Sequence, residues 1–124
     1  MNSQEKTYDI FVYGSLKKGF PAHSFLEGSE FLGKALTVDK YLLSSSSYPM
    51  LSRKQPLCQV KGECYRINEE TLARLDEYEG YPEEYDRIII KVQIEGEKDI
   101  KEVWAYIKED AVGETIHEDG EYTR

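Results

Sequence analysis

Histidine, cysteine and tryptophan are scarce in this chain: two, two and one among 124 residues. With only His23 and His117, and with Cys58 and Cys64 outside any CxxC spacing, a zinc centre lacks a ligand set, and no metal is expected. On one extended strand the two cysteines would stand about 20 Å apart, beyond disulfide reach. Isolated thiols of this kind fit a reducing compartment, and a cytoplasmic location is the expectation. Long apolar runs are missing as well. None approaches the roughly 20 residues of a transmembrane helix, and the opening MNSQEKTYDIF lacks the order of a signal peptide, so no membrane partner is expected. Basic residues are in deficit, 16 against 24 acidic, for a formal charge of −8. That charge repels phosphate backbones and makes nucleic acid a poor partner, but backbone N–H groups can still hold a small carboxylate. No repeat or low-complexity segment divides the chain, so residues 1–124 read as a single domain, with no oligomeric state implied.

What is present is organised around Leu72 to Pro82, LARLDEYEGYP. Asn68 as N-cap, Glu69 and Glu70 in the first turn and Gly80 as a left-handed stop predict a helix from Glu69 to Glu79. At about 100° per residue, Glu79 falls about 20° from Leu72 and about 40° from Leu75, while Glu77 points about 140° away from Leu72. Glu79 therefore shares the apolar face at the negative end of the helix dipole, where its ionised form is disfavoured and its pKa raised, as suits a general base. The competing reading is a carboxylate that pairs with a nearby cation or frays into solvent.

Met1 to Lys6 read as a frayed end, and Tyr8 to Tyr13 (YDIFVY) as a buried strand. It runs into Gly14-Ser15-Leu16-Lys17-Lys18-Gly19, a turn whose amides can converge on an anion, although it has neither Walker nor dinucleotide-fingerprint spacing. Pro21 to Leu26 predicts a short helix; His23 on it reads as a surface or capping residue and not as a catalyst. Further strands are expected at Phe31 to Leu36, Tyr41 to Leu43, Cys58 to Ile67 (with a bulge or close approach at Gly62), Tyr85 to Ile94 and Glu102 to Lys108. Along the last, Val103, Ala105 and Ile107 alternate with an aromatic face of Trp104 and Tyr106. Ser44 to Pro56 reads as an irregular loop packed over the core by Tyr48, Met50 and Leu51, with Arg53 and Lys54 available to an acidic group or simply solvated. The sum is an α+β fold: a small, mostly antiparallel β-barrel or twisted sheet carrying one main helix and one short one.

Tyr13 to Gly19, Gly62-Glu63-Cys64-Tyr65, Leu75 to Pro82 followed by Tyr85-Asp86-Arg87, Tyr48-Pro49 and the terminal Asp119-Gly120-Glu121-Tyr122 occur in an order that resembles the γ-glutamylcyclotransferase-like family, and within it the γ-glutamylamine cyclotransferase branch. The resemblance spans nearly the whole chain. It implies a small β-barrel with flanking helices and an enzyme that takes a small γ-glutamyl compound, an amine derivative or a peptide, to a released amine and 5-oxoproline, without a cofactor. It further implies Glu79 as acid/base, with substrate bound by Tyr13, Gly14, Ser15 and Leu16 through backbone amides. Tyr85 and Tyr122 are added as pocket-lining or hydrogen-bonding candidates. A non-catalytic module that binds a small molecule or peptide on the same scaffold is the alternative, and a purely structural domain a third.

Overall fold

The computed structural model describes residues 6–123; of the expected frayed end, Met1 to Glu5 lie outside the described residues. Five strands close into a barrel in the order β1 (Thr7–Val12), β5 (Lys61–Asn68), β2 (Glu30–Thr37), β6 (Asp86–Ile94) and β7 (Ile100–Ile107). Neighbours pair antiparallel except at the seam, where β1 meets β7 in parallel at Ile10 and Trp104. Period-two alternation fills the interior. Phe11 and Tyr13, Cys64, Ile90, Val92 and Ile94, and Val103, Ala105 and Ile107 pack there, while Ile10, Val12, Tyr65, Ile67 and Tyr106 belong to a second cluster outside the barrel wall. β1 is buried at Ile10, Phe11 and Val12 in succession because both of its faces are covered. Gly62 is the expected close approach: a Cβ there would lie 2.3 Å from the Val12 carbonyl oxygen and 2.6 Å from the Phe11 ring. The register shift sits on the facing strand instead, between Phe31 and Gly33.

The outer cluster is covered by the helix α1 (Glu69–Glu79), which has the expected bounds. The Asn68 side chain accepts from the Thr71 amide at 2.8 Å, Leu72 and Leu75 are buried, and Gly80 ends the helix at φ 71°. A 3₁₀ helix, Pro21–Leu26, packs beside α1 through Leu26. The expected irregular loop is a correction. Within Ser44 to Pro56 the chain forms part of β3 (Leu42–Ser45) and all of β4 (Pro49–Ser52), which join β8 (Thr115–Ile116) in a three-stranded sheet ordered β4-β3-β8. Met50 and Leu51 are buried, whereas Tyr48 is half exposed. Arg53 and Lys54 pair with Glu109 and Asp110 at the surface. Cys58 stands before β5 in a single bridge to Tyr41, and both cysteines are free. Among the described residues no helix is long and apolar enough to cross a membrane.

Candidate active site

Glu79 is the last residue of α1, and the turn that follows fixes its direction. The Gly80 amide donates to the Glu77 carbonyl at 3.1 Å and the Tyr81 amide to the Asp76 carbonyl at 2.8 Å. The Glu84 amide donates back to the Gly80 carbonyl at 2.7 Å, and the Tyr81–Pro82 peptide between them is cis. Leu72 and Leu75 hold the helix against the barrel wall, so the half-buried Glu79 faces the end of the barrel where β1 stops.

The segment after β1 forms the opposite wall. The Tyr13 hydroxyl donates to the Tyr106 carbonyl at 2.8 Å, and the Lys17 amide closes a turn onto the Gly14 carbonyl at 3.0 Å. Gly14 lies against Pro49 so closely that a Cβ would meet Pro49 Cγ at 2.2 Å. His23 Nδ1 lies 3.0 Å from the Leu16 carbonyl oxygen, so this histidine braces the loop from behind. Gly14 and Leu16 are buried, and among the described residues no protein acceptor takes the amides of Gly14, Ser15 or Leu16. Amides without acceptors at a cavity wall are chemically able to meet a carboxylate or an oxyanion.

Between these walls lies a cavity of about 370 Å³, lined by Tyr13 to Leu16, Tyr48, Pro49, Glu77 to Gly80, Glu84, Tyr85 and Tyr106, with Phe11 and Val12. None of these lining residues is a lysine, arginine or histidine. No hydrogen bond or ion pair engages the Glu79 carboxylate among the described residues. Burial without a compensating donor pushes its pKa up to about 7. The Tyr13, Tyr85 and Tyr106 hydroxyls are all raised, by burial first; the charge of Glu79 adds to the shift in each. The hydroxyl of the lining residue Tyr106 donates to Asp76 Oδ1 at 2.6 Å, and behind it Arg87 grips both oxygens of Asp76 at 2.9 and 3.2 Å. The guanidinium itself lies 4.5 Å from the Tyr81 ring centre and 4.8 Å from that of Trp104.

Residues 10–124 match the model of a family described as gamma-glutamyl cyclotransferase, AIG2-like. The chain belongs to that family. A protein of Methanocaldococcus jannaschii is 36% identical over 114 residues, covering 91% of this chain and 93% of its own. The gamma-glutamylaminecyclotransferase of Bos taurus is 32% identical over 125 residues, 94% of this chain and 74% of the bovine protein. A mouse AIG2-like crystal structure superposes with a TM-score of 0.80 at 29% identity, covering 90% of this chain and 86% of the mouse one.

In this γ-glutamylcyclotransferase-like enzyme, six of the seven residues singled out from sequence line one cavity: Tyr13, Gly14, Ser15, Leu16, Glu79 and Tyr85. Tyr85 does so with its hydroxyl proton already given to the Pro49 carbonyl at 2.7 Å. Tyr122 lies apart from these six. It lines a separate cavity of about 740 Å³, stacks on Phe20 with ring centres 5.5 Å apart, and accepts the Lys17 ammonium on its carbonyl at 2.8 Å. It is carried there because the C-terminal segment is tied to the start of β5, where the Lys61 amide donates to the Gly120 carbonyl at 2.8 Å. Sequence reasoning missed Tyr106 and Asp76 as parts of the site. The alternation of β7 sets Tyr106 on the face that α1 covers, and Asp76 lies one helical turn before Glu79; those two spacings were the available signal.

Proposed function

We propose that the chain is a γ-glutamyl cyclotransferase that acts on γ-glutamyl amines or peptides, with Glu79 as the group that moves the proton. The observation that carries this reading is an unpaired, half-buried carboxylate with a pKa near 7, across a cavity from three amides without acceptors. The substrate's α-carboxylate, or the oxyanion that develops on its γ-carbonyl, is met by the amides of Gly14 to Leu16. Ionised Glu79 takes a proton from the α-ammonium group, and the freed amine attacks the γ-carbonyl carbon to close a five-membered ring. Protonated Glu79 then donates to the departing nitrogen, and its conjugate base takes back the second proton of the ring nitrogen as the old C–N bond breaks. The products are 5-oxoproline and the released amine, which takes the last proton from Glu79 and leaves as ammonium, returning the carboxylate to its ionised form. One carboxylate with a pKa near neutrality serves both transfers. The attack is intramolecular, so the cavity's other task is to hold the curled conformer in which amine and carbonyl meet.

Incubation with a panel of γ-glutamyl amines and dipeptides, with both products quantified, tests this. The expected result is equimolar 5-oxoproline and amine. Saturable binding with no product from any member of the panel would favour the non-catalytic module instead.

A further inference from the structure

Three tyrosines that line the cavity, Tyr13, Tyr85 and Tyr106, have hydroxyl protons already committed to the protein. Tyr85 donates to the Pro49 carbonyl at 2.7 Å and Tyr106 to Asp76 Oδ1 at 2.6 Å. A tyrosine hydroxyl has one donor and two acceptor lone pairs, so Tyr85 and Tyr106 retain only acceptor capacity. Tyr13 is more fully engaged, donating to the Tyr106 carbonyl and receiving the Leu51 amide. It fixes the wall rather than the ligand. These assignments are held rigidly: Arg87 clamps Asp76 from the far side, which keeps Asp76 an acceptor and Tyr106 its donor. Glu79 is a third acceptor, and its charge reaches the Tyr85 and Tyr106 hydroxyls. A cation in this cavity would meet no competing positive side chain, since none lines it.

We propose that the Tyr85 and Tyr106 hydroxyl oxygens and the Glu79 carboxylate form an acceptor-only cradle for the substrate's α-ammonium group. Three acceptors answer the three N–H donors of an ammonium, and the amides of Gly14 to Leu16 stand ready for the carboxylate on the same carbon. The cradle therefore reads the α-amino-acid end of the substrate, and it delivers the ammonium to the one acceptor able to take its proton. This rests on the cyclotransferase reading above and adds Tyr106 to it, with Asp76 and Arg87 as positioning residues that act through its hydroxyl.

A matched pair of ligands tests the cradle: a γ-glutamyl amide, and the glutaryl amide of the same amine, which keeps the carboxylate and lacks the α-amine. With Tyr85→Phe and Tyr106→Phe, kcat/KM for the γ-glutamyl amide is expected to fall about tenfold or more, the cost of a lost bond to a charged group. The inhibition constant of the glutaryl amide should change by no more than about twofold. Equal weakening of both ligands would mean that the hydroxyls act only in packing, and would overturn the proposal. The two variants are independent, so one that fails to fold leaves the other to decide. If the wild-type protein turned over nothing, the cyclotransferase reading would fail by itself. Calorimetric binding of the same pair would still read the cradle, a preference for the γ-glutamyl ligand that the variants lose supporting it and no preference overturning it.

Discussion

Glu79 owes its chemistry to what does not touch it. Two neighbouring acids are paired: Asp76 with Arg87, and Glu84 with Lys108 at 3.0 Å. Glu79 has burial and no cation, so its pKa rises to about 7 where those pairings would have held it down. The sign of the pH dependence follows. A base must be ionised to accept a proton, so kcat/KM should fall about tenfold per unit as pH drops below 7 and level off above it, because kcat/KM reports the free enzyme. A pH-rate profile that stays flat down to pH 5 would show that the titrating base is a different group. At this scale much was legible. The angle between Glu79, Leu72 and Leu75 around a helix is fixed by sequence spacing alone, and it separated Glu79 from the exposed Glu77. Tyr122 was not legible, because its place depends on where the last segment crosses β5, which no local pattern encodes.

At the scale of elements, α1 was readable to its exact bounds because its signals are local: a cap that bonds three residues ahead and a glycine that can take φ 71°. The β4-β3-β8 sheet was not, since four consecutive serines and a proline carry weak strand preference. Ser44 and Ser45 of that run, and Ser52 of β4, are satisfied by distant partners. Ser44 Oγ accepts from the Gly113 amide at 2.9 Å, Ser45 Oγ bonds to His117 Nε2 at 2.8 Å, and Ser52 Oγ donates to the Glu109 carbonyl. This sheet matters to the site because β4 begins at Pro49, which presses on Gly14 and receives the Tyr85 hydroxyl. Gly14→Ala would put its Cβ 2.2 Å from Pro49 Cγ, so the amide loop and β4 must separate. An overpacking cost of about 1–3 kcal/mol is expected in chemical denaturation, with a loss in kcat/KM of about 10²-fold from misplaced amides. Wild-type kinetics in a folded variant would indicate that the Gly14 to Leu16 amides do not handle substrate.

Over the whole molecule, the alternation of strands with a single strong helix made an α+β barrel or sheet readable, but not the way it closes. Closure depends on one parallel contact, Ile10 with Trp104, between strands at opposite ends of the chain. The barrel places the end of β1 and the end of α1 on either side of one cavity, joining the Gly14 to Leu16 loop to a carboxylate that sequence separates by some sixty residues. The formal charge of −8 agrees with that proposal, which needs backbone amides for the anion and no lysine or arginine, and none lines the cavity. The central claim is that this cavity cyclises a γ-glutamyl group through Glu79. The most direct measurement is the rate of 5-oxoproline formation by Glu79→Gln against wild type, at saturating γ-glutamyl amine and with folding checked by thermal denaturation. A folded variant whose kcat is lower by about 10²- to 10⁴-fold is the predicted result, the range for loss of a general acid-base group; undiminished turnover would contradict the account.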